Sequence, residues 1–327
     1  MPRKKVAALR SGVQNPGMDG KLPVHIDADR CTGCGLCLAN CPSDALVLEG
    51  GRARVVVPSC MACGHCAALC PAAAIAVTAA KNTPPAFATF TTPEAWLPYG
   101  QADLGHLVQL MRSRRSCRNY LDRPVEQALL ADLVRIGTTA PSGTNSQGWT
   151  FTILPDRASV VALGNEVAAY FRRLNRLAGA PLLRHLLRWC GRPALDRYYR
   201  RHYATTLKAL QEWEEEGRDR LFHGAPAAIC IGSRPDASCP AEDALLASQN
   251  ILLAAHAMGL GSCLIGFAVE AMRREPAITD RLGIPAEEPI HSVVALGWPA
   301  LRYQRLTGRQ PVAPRWVNAV GKTAPMP

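Results

Sequence analysis

The sequence contains one cysteine pattern twice: Cys31-Thr-Gly-Cys34-Gly-Leu-Cys37-Leu-Ala-Asn-Cys41-Pro42 returns 29 residues later as Cys60-Met-Ala-Cys63-Gly-His-Cys66-Ala-Ala-Leu-Cys70-Pro71. Eight of the 13 cysteines lie in these two runs. Such clustering indicates metal ligands in a reducing compartment rather than a secreted disulfide scaffold. Zinc and iron–sulfur clusters both take thiolate ligands. Zinc ribbons use two short cysteine pairs far apart, whereas each run here has three evenly spaced cysteines and a fourth before proline. The spacing therefore favours iron–sulfur clusters.

The repeat resembles the two-cluster bacterial ferredoxins, in which the fourth cysteine of each run ligates the other cluster. The resemblance implies ligands for two [4Fe–4S] clusters: Cys31, Cys34, Cys37 and Cys70 for the first, and Cys60, Cys63, Cys66 and Cys41 for the second. Gly33, Gly35 and Gly64 suit loops whose backbone amides turn toward the sulfurs. Clusters with four cysteine ligands transfer single electrons and leave no iron open to substrate. We therefore expect the chemistry to lie elsewhere in the chain.

Length and composition indicate a folded protein of about two domains. Of the 327 residues, 48% are hydrophobic and 19% charged, which excludes a disordered chain. The formal net charge of +11 raises the question of nucleic acid, but no aromatic residues interleave with the basic ones as a binding platform requires. The basic start lacks an apolar export segment, and Gly259 and Gly261 interrupt the uncharged stretch 244–269. We expect a cytoplasmic protein without a transmembrane span or a nucleic-acid partner.

The composition changes after residue 80, which predicts a boundary there. Residues 1–80 form the expected cluster domain, and residues 81–98, with four prolines, the expected linker. In residues 99–327 amphipathic helices alternate with short apolar runs, which are interpreted as strands at 150–154, 227–231, 261–267 and 292–296. The predicted fold class is α+β, a mixed sheet flanked by helices. A lid insert is expected at about 170–220 and a proline-rich C-terminal arm at about 300–327.

Two amphipathic helices are predicted to open the second domain. In the first, Leu104, Leu107, Val108 and Met111 recur at helical spacing. Pro124 is interpreted as the first residue of the second helix.

Three polar segments of the second domain carry the remaining signal. They are Arg112-Ser-Arg-Arg-Ser-Cys-Arg-Asn-Tyr120, Ala140-Pro-Ser-Gly-Thr-Asn-Ser-Gln-Gly-Trp149 and Leu306-Thr-Gly-Arg-Gln-Pro311. By composition alone, the first could be a solvated basic turn. In this order, however, the segments resemble the flavin-dependent nitroreductase family over residues 99–320. That family includes forms with an N-terminal two-cluster ferredoxin domain.

The resemblance implies an FMN site on these segments. Arg114, Ser116 and Arg118 match positions that hold the phosphate and ribityl chain, and a guanidinium suits phosphate because it is always charged and binds two oxygens. Ser142 and Gly143 match a loop against the flavin ring, where a backbone amide steadies the hydride-carrying N5. The full set of matched residues is Arg114, Arg115, Ser116, Cys117, Arg118, Pro141, Ser142, Gly143, Asn145, Ile265, Gly266, Phe267 and Arg309.

Several of these matches have a more specific expected role. Asn145 fits a hydrogen bond from the loop to the flavin or its support. Ile265, Gly266 and Phe267 match a strand end that lines the ring. Arg309 matches a phosphate-binding arginine of the arm, with Arg305 as a weaker match. The family often has proline where Gly148 stands, which leaves the rigidity of this loop open.

The expected function is an FMN-dependent oxidoreductase. A ferredoxin-like donor would supply electrons through the two clusters, and FMN would reduce a small organic acceptor such as a nitro compound, quinone or enone. No side-chain nucleophile is needed because the cofactor carries the chemistry. Direct use of NAD(P)H stays open, and family membership implies a homodimer with FMN at the subunit interface. The alternative is an electron-transfer subunit that relays electrons between proteins without small-molecule turnover.

The predicted insert is rich in arginine, with nine between residues 172 and 202 and one acid, Asp196. Three interpretations are open: a surface helical lid, a site for an acidic substrate or partner, and an interfacial membrane helix. The acidic run from Glu212 to Glu216 is interpreted as a solvated helix end. His256, on an apolar helix, is interpreted as a core residue.

Overall fold

The computed structural model describes residues 23–56, 60–77, 84–317 and 323–324. In the N-terminal domain the sequence repeat is also a structural repeat. Two antiparallel strand pairs form, β1 (Val24–Ile26) with β4 (Ile75–Val77) and β2 (Leu46–Glu49) with β3 (Arg52–Val55). Each cysteine run leads into a short helix, α1 (Leu36–Ala39) or α2 (His65–Leu69). Gly35 and Gly64 precede these helices with φ of 74° and 77°, a conformation that glycine adopts without strain.

The second domain is built on a four-stranded sheet. Its strands are β5 (Trp149–Leu154), β6 (Ala227–Ser233), β7 (Gly261–Leu264) and β8 (Ile290–Gly297), in the order β5-β6-β8-β7. These strands pair antiparallel throughout, and a parallel bridge between Ser116 and Ser262 extends the sheet at β7. Within the described residues, the mixed character of the sheet rests on that bridge.

Helices cover both faces of the sheet. They are α3 (Leu104–Ser113), α4 (Gln127–Gly137), α5 (Arg157–Gly179), α6 (Pro181–Trp189), α7 (Ala194–Tyr198), α8 (Ala204–Glu216), α9 (Pro240–Ala257), α10 (Gly266–Arg274) and α11 (Pro276–Arg281), with a π-helical turn at Tyr199–Tyr203. Side chains of β6 alternate between two cores because successive residues of a strand point to opposite faces. Ile229 and Ile231 pack with α4 and α9, whereas Ala228 and Cys230 pack with α5 and α10.

Two predicted boundaries are wrong by a few residues. Helix α4 begins at Gln127 rather than Pro124, because the Pro124 carbonyl accepts a hydrogen bond from Trp298 Nε1 at 3.1 Å and is held outside the helix. Strand β7 ends at Leu264 rather than Phe267. The Ile265 amide still donates to Val293 at 2.8 Å, but Gly266 and Phe267 already belong to α10.

The predicted linker is anchored to the second domain. Residues 81–83 lie outside the described residues, and residues 84–98 contain no helix or strand. The amides of Ala88 and Thr89 and the Thr89 hydroxyl donate to the buried carboxylate of Asp132 at 2.7 to 3.0 Å. Asp132 therefore holds the connection between the domains against α4.

The C-terminal arm is exposed and extended. Residues 302–315 contain no helix or strand, and β9 (Trp316–Val317) pairs antiparallel with β10 (Thr323–Ala324). No helix in the described parts of the chain has the length and apolar character needed to cross a membrane.

Candidate functional site

Backbone amides point at the sulfurs of both cysteine runs. Ala45 N lies 3.4 Å from Cys41 Sγ, and at the equivalent place in the second run Ala74 N lies 3.3 Å from Cys70 Sγ. The Ala53 amide, 3.4 Å from Cys31 Sγ, lowers the pKa of that thiol. Because such bonds favour the thiolate, the loops suit the charged form that binds metal.

The structure brings together the four cysteines expected to hold the second cluster. Cys41, Cys60, Cys63 and Cys66 line one small cavity, although Cys41 belongs to the other run. Burial raises the pKa of Cys60, and the neighbouring Cys41 and Cys63 raise it further. Among the described residues, no three Cys, His, Asp or Glu side chains converge as ligands of a single metal ion.

Three of the other four cysteines, Cys31, Cys34 and Cys37, are neighbours. Cys37 is buried, and its neighbours Cys34 and Cys31 act together with burial to raise its pKa. Arg30 Nη2 donates to Ala72 O at 2.9 Å, which holds the segment after Cys70 beside the start of the first run. None of the 13 cysteines forms a disulfide bond.

The basic segment of residues 114–118 lies along β7. Cys117 N donates to Ser262 O at 2.9 Å, next to the parallel bridge between Ser116 and Ser262. This approach requires glycine at position 261, where a Cβ atom would lie 2.7 Å from Cys117 Sγ. Cys117 is therefore buried against the strand, which fixes the arginines on either side of it.

Arg114 and Arg118 both lie close enough to Cys263 for their charges to act on its thiol. Burial raises the pKa of the Cys263 thiol, while both guanidiniums and the Ser116 hydroxyl act in the opposite direction. Burial also lowers the pKa of His223 and of His256. Arg118 lowers the pKa of His223 further, against the opposing effect of the Asp219 carboxylate, and Arg114 lowers that of His256 further. These contacts leave both histidines neutral near pH 7.

None of Arg114, Arg115 and Arg118 forms an ion pair in the part of the chain that the structure describes. Unpaired guanidiniums on a rigid segment form a site for an anion such as a phosphate. The C-terminal arm reaches the same place, since Arg115 Nη2 donates to Thr307 O at 3.2 Å. Arg309 follows two residues later and is exposed, as is Arg305.

The loop of residues 141–149 is fixed by a residue that the sequence did not single out. Gly143 N donates to Asp243 Oδ1 at 3.0 Å, and Trp149 Nε1 donates to Asp243 O at 3.1 Å. The Gly143 amide is thus already paired within the protein. A carboxylate in the first turn of α9 is a visible helix-start signal, but nothing in the sequence connects it with this loop.

Two further contacts shape the loop. Ser142 Oγ accepts from Gln147 N at 3.0 Å and closes it on itself. At Gly148, where the family often has proline, a Cβ atom would lie 2.7 Å from Ala237 Cβ. The close approach of Ala237 accounts for glycine at this position.

Asn145 points toward the cysteine domain. Its Nδ2 donates to Met61 O at 3.2 Å and to Ala62 O at 3.1 Å, in the loop between Cys60 and Cys63. Pro141, at the start of the same loop, is exposed.

Phe267 lies at the wall of a cavity of about 570 Å³ between α5 and α8. It packs edge-on against Phe171, with ring centroids 5.4 Å apart, and against His202 at 5.8 Å. No other predicted cofactor-binding residue lines this cavity, and Ile265 is buried in the core beneath it. The predicted insert therefore covers an apolar space next to Phe267.

One residue of the acidic run also lines the cavity. Glu212 is buried and binds Arg220, so the interpretation of the whole run as a solvated helix end is wrong at this position. The run is exposed only at Glu214, Glu215 and Glu216.

Comparison with known proteins identifies both domains. Residues 111–298 match the model of the nitroreductase family, and residues 23–71 match that of the 4Fe-4S dicluster domain. The chain is 26% identical to a 4-nitrobenzoate reductase of Nocardioides sp., covering 62% of this chain and 85% of that one. It is 29% identical to an NADH dehydrogenase of Thermus thermophilus, covering 63% and 91%.

Among solved structures, a nitroreductase with bound FMN from Bacteroides fragilis is similar, with 21% identity, a TM-score of 0.44, and coverage of 63% of this chain and 94% of that one. The family match spans more than half of the 327 residues and confirms the resemblance expected from the three polar segments. The protein belongs to the nitroreductase family and is an oxidoreductase with an N-terminal 4Fe-4S dicluster domain.

Proposed function

We propose that this protein binds FMN at the basic segment and two [4Fe–4S] clusters at the cysteine runs, and that it reduces a small organic acceptor with electrons received through the clusters. The observation that carries the proposal is the unpaired pair Arg114 and Arg118 beside β7. Two neighbouring guanidiniums without a carboxylate partner among the described residues suit an anion, and the FMN phosphate supplies one.

The residues of the chain have separate roles in this proposal. When bound, FMN supplies two-electron chemistry at N5, and the clusters supply single electrons. Arg114 and Arg118 bind the phosphate, and the Ser116 hydroxyl orients it. Asp243 fixes the loop of Ser142 and Gly143 beside the flavin. The cavity at Phe267 holds the acceptor and excludes water, and its size supports an enzyme over a relay subunit.

We further propose a homodimer. The apolar face of α3 is exposed at all four predicted residues, namely Leu104, Leu107, Val108 and Met111. A contiguous exposed apolar face indicates a protein interface. We also propose a ferredoxin-like electron donor, because the two clusters transfer single electrons. A cytoplasmic location is part of the same proposal, because cysteines grouped as metal ligands indicate a reducing compartment.

The test is anaerobic purification followed by assay of iron, sulfide and flavin. We expect about eight irons and one FMN per chain, because each cubane holds about four irons. Optical titration with reduced ferredoxin and separately with NADH then identifies the donor, and 4-nitrobenzoate serves as the first acceptor. Absence of flavin would overturn the proposal, and flavin reduction without saturable turnover would favour the relay subunit.

A further inference from the structure

One peptide group of the cysteine domain is hydrogen-bonded at both ends. Its oxygen, Met61 O, accepts from Asn145 Nδ2 at 3.2 Å. Its nitrogen, Ala62 N, donates to Cys60 Sγ at 3.4 Å. A single chain of hydrogen bonds therefore runs from Asn145 through this peptide to a cysteine sulfur. Hydrogen bonds in such a chain polarise and strengthen one another.

The same loop is otherwise rigid. Ala62 is 1% exposed and has a φ of +51°, and its carbonyl accepts a second hydrogen bond from Asn145 Nδ2 at 3.1 Å. A buried residue in the left-handed region is held there by its surroundings. The Asn145 contact therefore joins two ordered parts of the molecule.

On its other side, Asn145 connects to the loop proposed to lie against the flavin. Gln147 Nε2 donates to Asn145 Oδ1 at 3.0 Å, and Gln147 N donates to Ser142 Oγ at 3.0 Å. Both polar atoms of the Asn145 side chain are thus used. The contact links Cys60 with Ser142 through the Met61–Ala62 peptide, Asn145 and Gln147.

The two cysteine runs differ in this respect. Thr32 and Gly33 stand at the positions equivalent to Met61 and Ala62, but no comparable side-chain hydrogen bond from the described residues 84–317 reaches them. Gly33 packs instead against Gly51 of its own domain. Cys34, in the same loop, is exposed. The loop of the first run is thus exposed at Cys34, whereas the loop of the second run contacts the flavin domain.

We propose that Asn145 docks the Cys60–Cys63 loop onto the flavin loop, so that the cluster at Cys60 passes electrons to the flavin and the cluster at Cys34 receives them from the donor. This inference rests on the proposed function. Each transfer moves one electron: two reduced ferredoxin-like donors each lose one electron, and the acceptor takes both electrons together with two protons from water. Asn145 is a positioning residue, and its bond through Met61 also makes the cluster at Cys60 easier to reduce.

The test compares Asn145→Ala and Asn145→Asp with Thr144→Ala in protein that carries its iron–sulfur clusters and FMN. Thr144 is a matched control because it lies in the same turn but contacts Ser238 rather than the cysteine domain. Hydrogen exchange should become about tenfold faster or more at Met61–Cys63 in both Asn145 variants, since two interdomain hydrogen bonds are lost. Thr144→Ala should leave this exchange unchanged.

A second readout is the reduction potential of each cluster, followed by electron paramagnetic resonance. In the Asn145 variants one cluster should become harder to reduce, and Cys34→Ser, which alters the other cluster, assigns which one. Unchanged exchange and unchanged potentials, in a protein that still carries iron and flavin, would overturn this inference and leave the proposed function standing. Loss of iron or flavin already in the wild-type protein would instead refute the proposed function.

Discussion

The backbone amide of Gly143 donates a hydrogen bond of 3.0 Å to Oδ1 of Asp243, whose residue is only 2% exposed. The other carboxylate oxygen lies 3.4 Å from Ser146 Oγ, and the Asp243 carbonyl accepts from Trp149 Nε1. One buried residue in α9 therefore holds the loop at its start, middle and end. Since hydrogen bonds to a carboxylate are stronger than neutral ones, the loop is ordered before any ligand binds.

Replacement of Asp243 by Asn should loosen this loop. An amide cannot accept both bonds as a carboxylate does, so we expect the free energy of unfolding to fall by about 1.5 to 3 kcal/mol. FMN content after purification should fall with it. Urea denaturation and flavin assay measure the two effects. Glu242→Gln, in the same turn but exposed, is the control, and an equal loss in that variant would contradict the role given to Asp243.

Asp132 makes stability depend on pH in the acid range. Burial alone would raise its pKa, but hydrogen bonds from Ala88, Thr89 and Arg135 outweigh burial and lower the pKa to about 2, from 3.8. The carboxylate is therefore ionised in the folded protein at a pH where the unfolded chain is protonated. The contribution of this carboxylate to the free energy of unfolding is complete above about pH 4 and is lost as the pH falls from 4 toward 2.

We therefore expect Asp132→Asn to be less stable than wild type at pH 7, with a difference that shrinks as the pH falls below 4. Hydrogen exchange of residues 84–98 at pH 7 should also accelerate, because asparagine offers the Ala88 and Thr89 amides one neutral acceptor oxygen in place of two carboxylate oxygens. Denaturation curves at several pH values measure the first effect. A stability difference that stays constant down to pH 2 would contradict the role given to Asp132. So would an equal difference in the variant Asp122→Asn, where the residue is exposed.

Periodicity predicted most of the second domain because its strands are short apolar runs with clear ends. Strands β5, β6 and β8 lie within one or two residues of their predicted bounds. The prediction of a strand over residues 261–267 was wrong at its end, because an apolar stretch alone does not distinguish a strand from the start of a helix. Only the structure shows that the chain turns at Ile265 into α10.

Contacts between residues that lie far apart in the chain could not be predicted from the sequence. Asp132 binds Ala88 across 44 residues, and Asp243 binds Gly143 across 100. Neither spacing follows from a local pattern. The family resemblance directed Asn145 toward the flavin or its support, and the structure shows it bonded to the cysteine domain. Motifs within one domain do not reveal which of their side chains face the other domain.

The two unpaired arginines should determine FMN affinity. Arg114→Gln or Arg118→Gln removes a charged donor from the phosphate, which costs about 1.5 to 3 kcal/mol, or about ten- to a hundredfold in affinity. Fluorescence titration of the flavin-free protein with FMN measures this. Arg123→Gln is the control, because Arg123 stacks on Trp298 at 4.0 Å and pairs with Glu126 instead. Unchanged affinity in both test variants would place the phosphate elsewhere.

The arginines of the insert should separate into structural and surface groups. The Arg184 guanidinium lies 3.5 Å from the centroid of the Tyr199 ring and also bonds to Ala178 O, so Arg184→Gln should cost about 1 kcal/mol of stability. Arg192 is exposed and makes no ion pair among the described residues. Arg192→Gln should slow the reduction of the flavin by an acidic donor at low salt, and Arg188→Gln should do so to a lesser degree.

This difference is measured as the rate of flavin reduction against ionic strength, with thermal denaturation in parallel. The rates of wild type and Arg192→Gln should converge at high salt because screening removes the long-range attraction. If Arg192→Gln and Arg188→Gln leave both the rate and its salt dependence unchanged, the insert is a lid without a role in attracting an acidic partner.

The exposed face of α3 should determine the oligomeric state. Leu104 is 68% exposed, and Leu107 lies beside it on the same face of the helix. Burial of a leucine side chain stabilises an interface by about 2 kcal/mol, so Leu104→Asp with Leu107→Asp should convert the dimer to a monomer at micromolar concentration. Gln109→Asp, on the opposite face, should remain dimeric. Sedimentation velocity measures the change, and FMN content should fall with the dimer if both subunits form the site. A wild-type protein that sediments as a monomer with full FMN would contradict the interface.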